Sequence, residues 1–312
     1  VRKTLRIATR ASALALWQAE HVAQELKKHH PYLETEVLPM TTRGDQFLDQ
    51  SLATIGGKGL FLKELEVALK EQRADIAVHS LKDVPMELES GFTLTAILPR
   101  ANPFDAFISN HYSCVEELPL AARVGTSSLR RQAQLRAFRP DLQIRDLRGN
   151  VNTRLAKLDA NQYDALILAC AGLERLNLKS RIGSELKAPD WLPGVGQGAI
   201  AVECCESSTE VTSLLAPLND KTTARCTNAE RAMSRHLHGN CQVPIAAYCT
   251  EDETGALTLE GLVGDSATGL LIRAGLTSSK MDPESVGVEV AKGLLERGAN
   301  KVLNRRDIPP SR

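Results

Sequence analysis

With 312 residues, 43% of them hydrophobic and 24% charged, the chain exceeds the size at which one hydrophobic core keeps growing, so two or three domains of roughly 100 residues are expected. The composition excludes disorder and a fibrous repeat, and a formal net charge of zero excludes a partner recognised by overall basicity, such as nucleic acid. No run approaches the ~20 apolar residues that cross a bilayer, and residues 1–5 lack the apolar core of a secretion signal, so a cytoplasmic protein without a membrane partner is expected.

Short apolar runs alternate with helical patterns, which reads as α/β with mostly parallel strands. Residues 5–8 form a strand pattern, and Ser12 is placed to cap a helix with Leu14, Trp17, Val22 and Leu26 near one face. A strand over 35–40 leads into a polar, glycine-rich stretch, 41–59, whose length marks a lid, and then into a helix with Phe61, Leu65 and Leu69. Residues 75–79 are a buried-strand pattern running into Ser80-Leu81-Lys82-Asp83-Val84-Pro85, where the proline argues against continued regular structure. Polar side chains thus emerge where the strand ends, which is where open α/β sheets hold ligands.

Further strands are expected near Val124, over 143–147 and over 164–169, each followed by a helix. The turns Ile7-Ala8-Thr9-Arg10-Ala11-Ser12 and Val124-Gly125-Thr126-Ser127-Ser128 are alike, which predicts two similarly built domains facing one another. The chain would cross between them at Asn102-Pro103 and Leu192-Pro193-Gly194 and return as a strand over 199–203, with Cys204-Cys205 in or beside it. After Pro217 a helix over 222–237, strands over 243–249, 257–263 and 270–276, and a helix opened by Asp282-Pro283-Glu284 predict a small α+β domain with helices on one face of one sheet. The expected division is 1–98 with 199–217, then 99–198, then 218–312.

The distribution of charge carries the chemistry. Between Arg123 and Arg154 stand eight arginines and no lysine, opposed within that window only by Asp141 and Asp146, a local excess of six positive charges. Arginine to the exclusion of lysine implies a polyanion held in a fixed orientation, because the planar guanidinium grips a carboxylate or phosphate with two parallel hydrogen bonds. Arg130, Arg131, Arg148 and Arg154 follow strand-to-helix turns, where backbone N–H groups and the helix dipole also favour anions; Arg136 and Arg139 read as a solvated helix face. Asp83 beside Lys82 reads either as a group that steers a cation and exchanges protons or as a surface ion pair. Cys241, in Gly239-Asn240-Cys241-Gln242-Val243-Pro244, is a loop thiol open to reaction, whereas Cys170 sits in an apolar run. The seven cysteines include no C-x-x-C pair, so neither a disulfide framework nor a metal site is expected. Two glycine-rich stretches are decoys: Gly194-Val195-Gly196-Gln197-Gly198-Ala199 lacks the strand-turn-helix order of a dinucleotide site, and Gly56-Gly57-Lys58-Gly59 lacks the hydroxyl residue of a phosphate loop.

Taken together, the segments Leu5-Arg6-Ile7-Ala8-Thr9-Arg10, Gly56-Gly57-Lys58-Gly59-Leu60-Phe61, Ala77-Val78-His79-Ser80-Leu81-Lys82-Asp83-Val84-Pro85, Val124-Gly125-Thr126-Ser127-Ser128-Leu129-Arg130-Arg131, Leu147-Arg148-Gly149-Asn150-Val151, Gly196-Gln197-Gly198-Ala199 and Gly239-Asn240-Cys241-Gln242-Val243-Pro244 strongly resemble, in order, the motifs of the porphobilinogen deaminases, also called hydroxymethylbilane synthases. One departure is Ala13, where relatives often carry proline. The resemblance implies two doubly wound domains like those of periplasmic binding proteins, facing a cleft, plus the small C-terminal α+β domain. It implies a dipyrromethane cofactor joined by a thioether to Cys241, onto which four porphobilinogen molecules are condensed with loss of ammonia before hydrolytic release of hydroxymethylbilane for haem biosynthesis.

By the same resemblance, Asp83 stabilises positive charge and moves protons as the catalytic group. Lys82, Thr126, Ser128, Arg130, Arg131 and Arg154 hold cofactor carboxylates, while Arg10, Ser12, Lys58, Arg148 and Arg175 receive the acidic arms of the substrate. A monomer is implied. The competing readings are a non-catalytic, anion-binding two-domain receptor and an acyl or phosphoryl transferase that uses Cys241 as a transient nucleophile.

Overall fold

The computed structural model describes residues 4–42, 62–239 and 243–303; most of the lid expected over 41–59, with Lys58, and also Phe61 and Cys241, lie outside the described residues. Strands β1 (Thr4–Arg10), β2 (Glu34–Met40), β3 (Ile76–Ser80) and β4 (Phe92–Ile97) come first, followed by β5 (Asp105–Ile108), β6 (Arg123–Gly125), β7 (Gln143–Arg145), β8 (Ala165–Ala169), β9 (Ser184–Leu186) and the returning β10 (Ile200–Cys205). They form two five-stranded sheets, ordered β2-β1-β3-β10-β4 and β7-β6-β8-β5-β9. β2, β1 and β3 run parallel and β10 lies antiparallel between β3 and β4; β7, β6 and β8 run parallel and β5 lies antiparallel between β8 and β9. The two sheets are thus built alike, as the paired turns predicted.

An ion pair repeats the correspondence at atomic level. Asp75, just before β3, accepts from Arg6 of β1 through its backbone N at 2.8 Å, Nε at 3.1 Å and Nη2 at 2.8 Å. Asp164, just before β8, accepts from Arg123 of β6 through the same three groups at 2.7, 3.0 and 2.8 Å. A carboxylate that binds a backbone N–H and a guanidinium fork together fixes both the register and the edge of the strand pair.

Both faces of each sheet are covered, so the central strands are apolar on successive residues instead of alternating. Leu5, Ile7, Ile76, Val78 and Val202 pack under α1 (Ala13–His29), and Ala8 and Ala77 under Leu65 and Leu69 of α2 (Lys63–Lys70). In the second sheet Val124, Ile167 and Phe107 meet Leu135 of α3 (Leu129–Phe138). Leu166 and Leu168 meet Leu155 and Leu158 of α4 (Val151–Asp159) on the other side. Each such fully buried aliphatic side chain stabilises the fold by about 1.5–3 kcal/mol. The short α5 (Cys170–Arg175) follows β8, and α6 (Thr209–Leu215) follows β10.

The C-terminal unit is an antiparallel meander of β11 (Ile245–Glu251), β12 (Leu257–Gly264) and β13 (Leu271–Ser278). One face packs on α7 (Lys221–His236) and α8 (Pro283–Glu296); the other reaches the second sheet's unit, where Leu192 meets Ala246 and Leu262. Asp220 and Asp282 start the two helices by accepting from Thr223 N and Ser285 N, with Pro283 in the first turn, a position where its missing N–H costs nothing.

Two sequence expectations change. Strands β4, β5 and β9 were not foreseen: β5 has only four residues and opens on a fully buried aspartate, so it lacks the length and pattern of a recognisable strand. Arg136 and Arg139 do not form a solvated face. Arg136 Nε donates to Ser266 O at 3.1 Å, joining α3 to the C-terminal unit. Arg139 pairs with Asp141 at 2.7 Å and donates to the carbonyls of Val115, Glu116 and Leu118. Among the described residues no helix is long and apolar enough to cross a membrane.

Candidate functional site

The parallel strands of both sheets end in turns that carry polar and cationic side chains. β1 ends on Arg10 and is followed by Ser12, whose hydroxyl accepts from Ala15 N at 3.4 Å and starts α1. After β3 comes one 3-10 turn, Leu81–Asp83, closed by Val84 N donating to Leu81 O at 3.1 Å. After β6 stand buried Thr126, whose hydroxyl accepts from Ser128 N at 3.2 Å, and Ser128, which precedes α3 without a side-chain capping bond. After β7 come Arg148 and Asn150, the cap of α4. Arg175 ends α5.

These turns meet. Arg10, Ser12, Gln18, His79, Ser80 and Asp83 line one cavity in the first unit. Arg130 and Arg131, both only 6% exposed, share a single fully buried carboxylate, Asp105. Arg130 Nη1 donates to Asp105 Oδ2 at 2.6 Å and Arg131 Nη2 to Asp105 Oδ1 at 2.7 Å. Trp191 Nε1 adds a bond at 2.7 Å and Gln197 Nε2 one at 2.9 Å. Burial pushes the Asp105 carboxyl up, but the two guanidiniums outweigh it and hold the group far below the usual carboxylate range.

One carboxylate does not neutralise what surrounds it. Burial, together with Arg131 and Arg130 and against Asp83 and Asp105, lowers the Lys82 ammonium to about 8. Burial, then Arg131 and Arg148, against Asp83, lowers Arg154 to about 10; burial likewise lowers Arg175 to about 10. Lys82, Asp83, Arg130, Arg131, Arg148 and Arg154 therefore share one electrostatic neighbourhood. Among the described residues, Lys82 and Asp83 have no hydrogen-bond partner, and Arg154 is held only by Nε to Gly149 O at 2.7 Å. Arg175 lies over the Trp17 ring at 5.6 Å and donates to Gly198 O at 2.7 Å, joining the second unit to the first. Partly buried cations that outnumber their carboxylates are costly, and a ligand with several carboxylates removes that cost. The donor set thus fits the acidic arms of a dipyrromethane; Cys241 and Lys58, expected at the same site, lie outside the described residues.

Comparison with known proteins gives the family. The family model described as porphobilinogen deaminase, dipyromethane cofactor binding domain, matches residues 5–213, and the one described as porphobilinogen deaminase, C-terminal domain, matches residues 224–296. The chain is 60% identical over 300 residues to the porphobilinogen deaminase of Xanthomonas euvesicatoria pv. vesicatoria (strain 85-10), covering 96% of this chain and 98% of that one. The chain belongs to the porphobilinogen deaminase family. A second relative, the porphobilinogen deaminase of Stenotrophomonas maltophilia (strain K279a), is 58% identical over 302 residues, covering 97% and 99% of the two chains. As a member of this family the protein is a transferase of porphyrin biosynthesis with a dipyrromethane cofactor-binding domain. Among solved structures, the methionine-binding protein MetQ aligns with a TM-score of 0.46 at 11% identity, over 69% of this chain and 89% of that one. A nutrient-binding protein from Burkholderia cenocepacia aligns with a TM-score of 0.45 at 12% identity, over 71% and 93%.

Four residues of the site escaped the sequence reading. Gln18 is 2% exposed on α1 and exchanges hydrogen bonds with the Ser80 hydroxyl at 2.9 and 3.2 Å; it sits within an apolar helical stripe. Asp105 comes from a segment distant in sequence from the two arginines it holds, and Trp191 and Gln197, which bond to Asp105, come from a third. Asp105 left one signal, a charge opening an apolar run, which is where a buried ion pair begins.

Proposed function

We propose that this protein condenses four porphobilinogen molecules head to tail, with loss of four molecules of ammonia, and releases hydroxymethylbilane by addition of water. The reading rests on one observation: the four cations Lys82, Arg130, Arg131 and Arg154 outnumber the two carboxylates among them, Asp105 being given over to Arg130 and Arg131 while Asp83 faces Lys82 and Arg154. A site with that surplus takes a ligand bearing many acidic arms. When bound through a thioether to Cys241, a dipyrromethane supplies the free pyrrole carbon on which the chain grows.

The side chains of this protein would do the rest. Lys82, Thr126, Ser128, Arg130, Arg131 and Arg154 hold cofactor carboxylates, and the rigid Asp105 anchor keeps two of those guanidiniums from turning. Arg10, Ser12, Lys58, Arg148 and Arg175 receive the acetate and propionate arms of incoming porphobilinogen, which places its aminomethyl carbon near Asp83. The Asp83 carboxylate accepts a pyrrole N–H bond, stabilises positive charge as ammonia departs, and takes a proton from the ring after bond formation. Asp83 has no competing hydrogen-bond donor among the described residues, so it is available for this work. We further propose a cytoplasmic monomer divided at 1–98 with 199–217, 99–198 and 218–312, a division supported by the membership of the three sheets.

The test is the intact mass of the purified protein together with ammonia release from porphobilinogen. A mass exceeding the bare sequence by a dipyrromethane, lost in Cys241→Ser, and turnover nearly abolished in Asp83→Ala with the cofactor retained, are expected. A bare-sequence mass, or substantial turnover by Asp83→Ala, would overturn the respective assignment.

A further inference from the structure

Arg231 of α7 is buried, 8% exposed, and forms no ion pair among the described residues. Its guanidinium is spent instead on three successive carbonyls of another unit. Nη1 donates to Val84 O at 3.2 Å, and Nη2 donates to Pro85 O at 2.6 Å and to Met86 O at 3.3 Å. These residues directly follow the 3-10 turn that carries Lys82 and Asp83. A flat fork reaches three consecutive carbonyls from two nitrogens held in one plane, whereas an ammonium offers a single nitrogen on a flexible stem.

The preceding residue grips the other side of the same turn. Glu230, fully buried, accepts from Gly196 N at 2.7 Å, from Arg100 Nη1 at 2.6 Å and from Cys249 N at 2.9 Å. Gly196 lies so close to Leu81 that a methyl group on it would stand 2.8 Å from Leu81 Cγ. Adjacent residues of one helix therefore bracket Leu81–Asp83, one through the backbone packed before it and one through the carbonyls after it.

We propose that Arg231 is a positioning residue for Asp83: its guanidinium, carried by the C-terminal unit, pins the carbonyls of residues 84–86 and so fixes where the aspartate carboxylate points. The proposal rests on the reading of Asp83 as the catalytic group. It explains why a buried arginine is kept where a hydrophobic residue would pack at lower desolvation cost. It also makes the C-terminal unit a structural part of the site's geometry.

The test uses the full chain carrying Arg231→Lys and, separately, Arg231→Gln. Hydrogen exchange is read on peptides spanning 80–88 and on the core strands 245–264, and kcat and KM are measured for porphobilinogen. Exchange over 80–88 is expected to rise about tenfold with the core strands unchanged, while kcat falls about tenfold to a hundredfold and KM stays within about twofold, as misdirection of one group near the reacting atoms produces. Lysine is expected not to rescue. Unchanged exchange over 80–88, exchange raised throughout the C-terminal unit, or full kcat despite a loosened turn would each overturn the proposal. A wild-type protein that releases no ammonia from porphobilinogen would instead defeat the functional reading, and the exchange comparison would still decide whether Arg231 pins the turn.

Discussion

Asp105→Asn isolates the anchor of the arginine pair, because shape is kept and one charge is removed. In the wild type Oδ1 accepts from Arg131 Nε and Nη2, Arg130 Nη2 and Gln197 Nε2, while Oδ2 accepts from Arg130 Nη1 and Trp191 Nε1. An asparagine keeps most bonds by placing its oxygen at the Oδ1 position, which sets its NH2 against Trp191 Nε1 and Arg130 Nη1. The latter retains Leu192 O at 2.9 Å, whereas the indole N–H is stranded. Two buried guanidiniums also lose their counter-ion, so a loss of about 3–5 kcal/mol is expected, the range for breaking a buried ion pair from one side. For a chain of this length that is a midpoint lowered by roughly 5–8 °C. Denaturant unfolding monitored by tryptophan fluorescence reads it directly. The sign with pH is fixed: the folded-state carboxyl lies below its unfolded value, so its contribution is complete above the unfolded value near pH 4 and is lost as pH falls through the folded one. The gap between wild type and variant should thus be constant from pH 8 to 5 and narrow below about pH 4. A gap under about 1 kcal/mol at pH 7 would refute the view of Asp105 as the counter-ion of both arginines.

Three further outcomes are expected. Because burial lowers the Lys82 ammonium to about 8, affinity for acidic ligands should weaken as pH rises through that value, and Lys82→Arg should remove the dependence; an unaltered pH profile of kcat/KM in the variant would contradict it. Glu66, 8% exposed, is pushed up to about 7 by burial and by Glu203 and Glu89, against His79 and Lys63. Wild type should therefore lose about 3 kcal/mol relative to Glu66→Gln as pH rises from about 4.5 to above 7, as equilibrium unfolding across that range would register. Gly287→Ala would put a methyl group 2.4 Å from Ala229 O and 2.6 Å from Ala232 Cβ, where α8 crosses α7; a loss of about 1–3 kcal/mol follows from such overpacking, and a neutral unfolding curve would show that the helices separate freely.

How much of this could be read before folding depends on the distance over which each cause acts. Helix starts were legible because their causes are local: Ser12 and Asp282 cap the helices they precede. The arginine excess pointed to a polyanion, since eight like charges in one window need an explanation. Its internal anchor did not, because Asp105 reaches Arg130 and Arg131 only after β5 is laid against β8. The fate of Arg139 was hidden for the same reason, its partners at 115–118 being brought near by tertiary packing. Arg231 lies within the helix expected over 222–237 and was not singled out there; only tertiary packing spends it on the carbonyls beyond Asp83.

The two chain crossings run side by side: Ala101 N donates to Gly198 O at 3.2 Å, and Arg100 Nε to Gln197 O at 2.8 Å. Everything from Asn102 to Gln197, including the whole second sheet, is therefore threaded out and back through one narrow gate. Its excision leaves two ends already in contact, so the first sheet could be resealed with a short splice and the excised lobe expressed alone. The architecture is that of a guest module lodged inside a host, which is how a single pocket can draw Lys82 and Asp83 from one lobe and Arg130, Arg131 and Arg154 from the other.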